Sequence, residues 1–478
     1  MVFSSSVFIF IFLPICLAGY FLIPKANLSV RNIILLVVSF VFYTYGEPRF
    51  VFILALSIFV NWLFGLGIDR WREKNNLAKM IVVVMVVFNI GILCIFKYLN
   101  FAIFNINKLP GFDFVQTEIL LPIGISFFTF QAVSYCLDVY RGAAQVQKNL
   151  LTTALYISFF PALVAGPIIR YKSIAEQLVS RVTTLDDFVY GLKRFIIGLA
   201  KKLIIANSVA ACVEGAFGAA NGDAMPVLLA WLGAICYTIQ IYFDFSGYSD
   251  MAIGLGRMFG FKYDENFNNP YMASSITDFW RRWHISLSSW FRDYIYIPLG
   301  GSRVNNKGRL VFNLFITWML TGIWHGANWT FVLWGFFYFV LLTIEKLLNI
   351  PEKTKKSLVF GLIYRVFTIF CFVMGWVVFR SDSISHAVSY MKAMFGMSIG
   401  QGSVLLYDSN SLYMLSQYAV VIIIAVFLCT PILGHLFSRI KIGIVKSIGG
   451  TAVYLGLLFL SLSFMASSQY NPFIYFNF

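Results

Sequence analysis

Runs of about 20 apolar residues recur from one end of this chain to the other, separated by short polar or basic segments. A helix needs about that length to cross the roughly 30 Å hydrocarbon core of a bilayer, and only helices and closed barrels satisfy their own backbone hydrogen bonds there. The pattern restricts the chain to an all-α polytopic membrane protein. Of its 478 residues, 59% are hydrophobic and only 12% are charged, which sets it apart from soluble globular domains. The formal charge of +15 is spread over short clusters between the apolar runs. Such clusters anchor a protein against anionic lipid heads, and with no recognition motif beside them we expect no nucleic-acid partner.

The seven cysteines lie in or beside apolar runs and none forms a Cys-x-x-Cys pair, so neither a disulfide framework nor a metal site is expected. No positive charge precedes the first apolar run, which reads as a retained span rather than a cleaved signal. The candidate membrane segments are 7–23, 33–45, 50–68, 80–96, 119–137, 150–169, 188–213, 227–255, 310–344, 359–379, 412–433 and 445–465. They amount to about 11–13 crossings or re-entrant segments, in a single membrane domain over 1–478. Run 119–137 reads as a kinked helix, and run 150–169, broken by Pro161 and Gly166-Pro167, reads as re-entrant. The basic loop 69–79 belongs in the cytoplasm, which puts the N-terminus outside. Segment 257–309, rich in Arg and Lys, reads as cytoplasmic and amphipathic or re-entrant, with one interfacial helix over 275–291. Ser275 and Asp278 stand at a capping-box-like spacing at its start. On that helix Trp280, Trp283 and Leu287 form one stripe, and Arg281, His284 and Ser288 an adjacent face.

Stretch 278–329 holds two of the four histidines, His284 beside arginines and His325 deep in apolar sequence. Run 310–344 has no formal charge and as one straight helix would measure roughly 52 Å, far more than a bilayer core of about 30 Å. It must break, and Gly322, Gly326 and Asn328 mark the place, leaving His325 at depth. A histidine in a bilayer is costly to ionise, and a neutral imidazole of ordinary pKa about 6.5 suits a general base. Acyl transfer from a thioester to a hydroxyl needs such a base. The chain has no Gly-x-Ser-x-Gly elbow and no His-Glu-x-x-His, which argues against a serine acyl-enzyme or a zincin. A structural alternative stands beside each candidate: His325 wedged between Trp324 and Trp329 can simply bridge helices, and His284 can be an interfacial residue. His386 and His435 have no supporting polar cluster and read as incidental. In run 227–255, Asp244 and Tyr248, and Ser246 and Asp250, are helix neighbours. They either tie helices together or form the polar wall of a reaction chamber.

Asp278-Phe279-Trp280-Arg281-Arg282-Trp283-His284-Ile285-Ser286-Leu287-Ser288, with Arg292-Asp293-Tyr294-Ile295-Tyr296-Ile297-Pro298-Leu299-Gly300-Gly301 after it, resembles the signature of the membrane-bound O-acyltransferase (MBOAT) family. The alginate O-acetyltransferase branch is the nearest, and Gly322-Ile323-Trp324-His325-Gly326-Ala327-Asn328-Trp329 is similar to that branch's second signature. Residues 124–131, 166–170, 244–250 and 471–475 support the likeness, which runs over essentially the whole chain. The resemblance implies a ring of tilted helices around a central funnel or tunnel, with His325 as the catalytic histidine and His284 nearer the cytoplasmic mouth. Trp324, Asn328, Asp244, Ser246, Tyr248, Asp250 and Arg281 are the expected tunnel or positioning residues. It further implies a multi-pass protein of the bacterial cytoplasmic membrane that takes an acetyl group from acetyl-CoA or an acyl-carrier thioester, with no permanently bound cofactor. The expected route runs outward, through a partner of the SGNH type, to a polysaccharide or peptidoglycan. D-alanyl transfer from a carrier protein to teichoic acid is the sister chemistry. A transporter or flippase is the alternative of another class.

Overall fold

The computed structural model of the chain describes residues 1–24, 27–219, 225–397, 405–432 and 443–467, and all regular structure among them is helical. Nine helices among the described residues are long and apolar enough to cross a membrane: Leu28–Gly46, Val51–Arg70, Asn75–Ile106, Leu185–Ala219, Val227–Met258, Trp329–Leu347, Leu358–Arg380, Ser409–Leu428 and Ile448–Ser467. This is a multi-pass membrane protein. His435 and the 471–475 motif lie outside the described residues.

The chain groups into two compact units, Met1–Phe195 with Tyr248–Glu265, and Ile196–Gly247 with Asn266–Phe478. In the first, helices Val51–Arg70 and Asn75–Leu93 are joined by reciprocal carboxamides. Asn61 Nδ2 donates to Asn89 Oδ1 at 3.1 Å and Asn89 Nδ2 to Asn61 Oδ1 at 2.8 Å. The pair lets two polar side chains sit in apolar helices without a stranded donor. The second of these helices does not stop at 96, as its hydropathy suggested. It passes through a wider turn at Cys94–Tyr98 and continues as Leu99–Ile106. Residues 119–124, expected to open a kinked helix, are not helical. The helix starts at Ile125, because Gly124 adopts a left-handed conformation (φ 77°) where a Cβ would lie 2.5 Å from the Leu163 carbonyl oxygen. Run 150–169 forms two short helices, Leu150–Ser158 and Phe160–Leu163, neither long enough to cross a bilayer, and is buried from Thr153 to Ile169.

The second unit is built on aromatic packing. Trp280 meets Trp334 and Tyr338 edge-on at centroid distances of 5.3 and 4.8 Å, and Trp376 stacks on Trp334 at 6.3 Å. The 310–344 run breaks as its length demands, into Lys307–His325 and Trp329–Leu347. The two helices approach closely at a pair of glycines. A Cβ on Gly322 would lie 2.5 Å from the Phe331 carbonyl oxygen, and one on Gly335 2.6 Å from that of Trp318. Such contact between small residues is how helices pack where lipid removes the hydrophobic drive.

Segment 275–291 is not one helix. It forms Ile276–Arg282 and Ile285–Phe291, broken at Trp283 and His284. Ser275 caps the first, its hydroxyl accepting from Asp278 N at 3.1 Å. The Asp278 carboxylate turns instead to Ser274 N and Arg282 Nε, so the reciprocal half of a capping box is not formed. The break is made by a distant segment: Asn268 N donates to the Arg282 carbonyl and Ile285 N to the Asn266 carbonyl, each at 2.9 Å. Those bonds replace the helical ones that the sequence pattern alone would carry through.

Candidate active site

His325 is the last residue of the Lys307–His325 helix, about 28 Å of helix from its charged start. Gly326 follows in an extended conformation, and a Cβ there would collide with the Phe331 ring. Asn328 then opens the next helix, its Oδ1 accepting from Thr330 N at 3.1 Å while its Nδ2 donates to the Asp382 carbonyl at 2.8 Å. Asn328 thus anchors the turn that presents His325. The imidazole is buried and boxed by Trp324, Trp334 and Phe379 at centroid distances of 4.9, 4.9 and 5.1 Å, each at a steep angle.

His284 sits at the helix break with φ 44°, a left-handed conformation that costs a non-glycine residue roughly 1–3 kcal/mol. Its ring is buried, edge-on to Phe245 at 4.6 Å, with Trp324 at 6.3 Å on the way to His325. Nδ1 lies 3.1 Å from Asn266 Oδ1. Burial pushes the His284 imidazole down to about 3, so it is neutral at physiological pH.

Both histidines line one cavity of about 250 Å³. Its walls are apolar and aromatic, with Trp280, Trp283, Leu287, Phe291 and Trp318, and with hydroxyls from Thr277, Ser288, Thr317 and Thr321. Arg281, Arg292 and Lys346 also line it and are themselves exposed, which brings positive charge to its open side. The volume lies just under the usual small-ligand range of about 300–1,000 Å³, enough for the reacting end of a substrate.

The cavity brings together His325, His284 and Arg281, with Trp324 packed between the two histidines. Asp244 and Ser246 are buried but do not line it, and the Asp244 carboxylate pairs with Lys202 Nζ at 2.5 Å, both side chains 2% exposed. Tyr248 and Asp250 belong to the first unit, where Tyr248 stacks on Phe3 at 4.6 Å and Asp250 accepts from Arg194 Nε at 2.9 Å. Within the 244–250 motif, Asp244 and Asp250 therefore act in internal ion pairs. His386 is buried, with Nε2 3.0 Å from the Phe217 carbonyl oxygen. Among the described residues no group of three or more His, Cys, Asp or Glu is placed to hold a metal ion.

Three residues escaped the sequence reading. Asn266 touches the His284 ring with its side chain and takes the next residue's amide, Ile285 N, on its main-chain carbonyl. Ser286 Oγ donates to Asn266 Oδ1 at 2.8 Å. Glu345, which reads in sequence as the start of a basic loop, is wholly buried in the Trp329–Leu347 helix and accepts from Ile276 N and Thr277 N, each at 2.7 Å. A signal for Glu345 did exist, since a lone carboxylate at the end of an apolar run needs a partner.

The family model for membrane-bound O-acyltransferases matches residues 115–385. A probable alginate O-acetylase of Azotobacter vinelandii is 39% identical over 100% of both chains. A peptidoglycan O-acetyltransferase of Helicobacter pylori is 31% identical over 100% of this chain and 98% of its own. A teichoic acid D-alanyltransferase of Bacillus subtilis is 30% identical over 64% of this chain and 77% of its own.

Proposed function

This chain belongs to the membrane-bound O-acyltransferase family and is an acyltransferase, and from that premise we propose that it moves an acetyl group from a cytoplasmic thioester to a hydroxyl, for O-acetylation of an extracellular polysaccharide or peptidoglycan. The observation that carries the reading is the shared cavity, in which two buried histidines meet beneath an exposed rim of Arg281, Arg292 and Lys346. The cationic rim suits an anionic donor such as acetyl-CoA or a carrier-bound thioester, and the apolar interior suits its acyl end.

In this reading His325 accepts the proton of the attacking hydroxyl as its oxygen bonds to the thioester carbonyl carbon. The tetrahedral intermediate collapses with loss of the C–S bond, and the imidazolium returns the proton to the departing thiolate. The aromatic box holds the ring in one orientation and keeps bulk water from hydrolysing the thioester. Transfer runs outward through the bacterial cytoplasmic membrane, with the N-terminus outside, and a partner of the SGNH type takes the acetyl group on to the polymer. The basic 69–79 loop supports that orientation. The full-length match to O-acetyl relatives favours acetyl over D-alanyl transfer, to which the match is shorter.

The test replaces His325 with Ala and measures ester-linked acetate on the polymer at matched membrane levels of protein. Acetylation should fall to background. Unchanged acetylation refutes the assignment, and loss of ester-linked D-alanine in place of acetate moves it to the sister chemistry.

A further inference from the structure

We propose that Asn266, with Ser286, fixes His284 as the neutral tautomer carrying its proton on Nδ1, so that Nε2 meets the cavity as a proton acceptor and not as a hydrogen-bond donor.

The assignment follows from donors whose identity is certain. Ser286 N is a main-chain amide and can only donate, and it lies 3.2 Å from the Asn266 side-chain oxygen. That amide tells which end of the Asn266 carboxamide points inward: the oxygen, an acceptor with no proton to give. Ser286 Oγ donates its single proton to the same oxygen at 2.8 Å. Its remaining capacity toward His284 Nδ1, 3.4 Å away, is as an acceptor. Asn266 Oδ1 and Ser286 Oγ therefore both face Nδ1 as acceptors, and the shorter contact, at 3.1 Å, is satisfied only if Nδ1 carries the hydrogen. The neutral ring has one N–H, so the Nε2 lone pair is what His284 can offer.

The same residue also holds the ring in place. The Asn266 carbonyl accepts from Ile285 N at 2.9 Å, so main chain and side chain together stabilise the left-handed turn at His284. Asn266 and Ser286 are both buried, and the edge of Phe245 closes another side of the imidazole. Among the groups that touch the ring are Asn266, Ser286, Phe245 and Trp324, which carry no titratable proton in the working range. The titratable groups that line the same cavity are Arg281, Arg292, Tyr296, His325 and Lys346, and none is a carboxylate.

This separates two roles for His284. An Nε2–H imidazole would stabilise a developing oxyanion, whereas the Nδ1–H form takes a hydrogen bond or a proton. Resting on the acyltransfer reading, Asn266 is a positioning residue that keeps His284 in the accepting form beside His325.

The tautomer is read directly by ¹⁵N magic-angle-spinning NMR of the full-length protein in lipid, with histidine labelled at both ring nitrogens and His284 assigned by its loss in His284→Gln. The expected pattern is a protonated Nδ1 and an unprotonated Nε2; the reverse overturns the proposal. Asn266→Ala should mix the tautomers and lower acyl transfer by at least about 10-fold through kcat rather than donor KM. Asn266→Asp places a carboxylate against the ring and favours the imidazolium. Its transfer rate should fall at neutral pH and recover as pH rises, while the wild type stays flat over that range. An Asn266→Asp profile that superposes on the wild type overturns the positioning role. Should wild-type protein transfer no acyl group while His284 shows the Nδ1–H signature, the functional reading fails and the tautomer assignment stands.

Discussion

Replacing Glu345 with Gln tests whether the cavity wall is held by one buried carboxylate. Glu345 is fully buried, and its two oxygens each take a main-chain N–H at the start of the Ile276–Arg282 helix, from Ile276 and Thr277 at 2.7 Å; the Thr277 hydroxyl adds a third bond at 2.5 Å. Those amides belong to the first turn, which has no helical partners for its donors. A glutamine retains one acceptor oxygen and turns an NH2 group toward the other amide. One charge-assisted bond is lost, about 1.5–3 kcal/mol, and one buried donor is stranded, about 1–3 kcal/mol, which together come to roughly 2.5–6 kcal/mol. The helix so released carries Trp280 and Arg281, and Thr277 itself lines the cavity. A displacement of about 1 Å at a reacting geometry costs on the order of 100-fold in rate. The assay pairs the midpoint of SDS-induced unfolding with steady-state acyl transfer on the purified full-length protein. Glu345→Gln should lower both, and Glu345→Asp, which keeps the charge but is one methylene shorter, should fall between. A Glu345→Gln protein with a wild-type midpoint refutes the clamp. A lowered midpoint with wild-type transfer refutes its link to the cavity.

Gly335→Ala should destabilise the paired helices by about 1–3 kcal/mol through overpacking. The added methyl would lie 2.6 Å from the Trp318 carbonyl oxygen and 3.1 Å from Gly322 Cα. The same SDS titration measures the loss, and transfer should drop with it because Trp318, Thr321 and His325 share the displaced helix. Asp278 predicts an acid limb. Burial pushes its carboxyl up, but hydrogen bonds from Arg282 and Ser274 and the Arg282 charge outweigh it and hold the group below its ordinary value. A depressed carboxylate contributes stability that is present above its unfolded pKa of about 3.9 and disappears as pH falls through the lower folded value. Unfolding midpoints between pH 6 and about pH 3 should therefore decline for the wild type and flatten in Asp278→Asn.

The sequence revealed most where a length conflicted with a thickness. Run 310–344 was too long for one crossing, and the break came at Gly326–Asn328 as its glycines and asparagine indicated. The two histidine motifs were legible, and they do meet in one cavity. What stayed hidden depends on partners far away in the chain. The stripe of Trp280, Trp283 and Leu287 is continuous at helical spacing, and nothing local reveals that Asn266 and Asn268 unpick the helix beneath it. Asp244 reads in sequence either as a tie between helices or as a chamber wall, and the partner that bears on the choice, Lys202, lies in a wide turn of another helix. Glu345 stands where an apolar run gives way to a lysine-rich segment, so in sequence its charge reads as part of the loop.

These misses share a physical cause that bears on how the site is made. A regular helix in lipid satisfies its own backbone but offers only a smooth side-chain surface, and irregular backbone is tolerated only where protein supplies the missing partners. Both histidines are presented from such irregular points: His284 from a left-handed residue between two helices, His325 from a helix end before an extended glycine. The partners that make each break possible are asparagines, Asn266 and Asn268 at the first and Asn328 at the second, while Glu345 holds the opening turn of the helix that leads into the first. Polar residues that look like candidates for chemistry in an apolar sequence are thus divided between two tasks. A few face the cavity, and the others hold open the interruptions from which those few project. The distinction is physical, because a residue of the second kind hydrogen-bonds main chain. Asn328 and Glu345 meet that criterion with both ends of their side chains, and Asn266 meets it while also touching an imidazole.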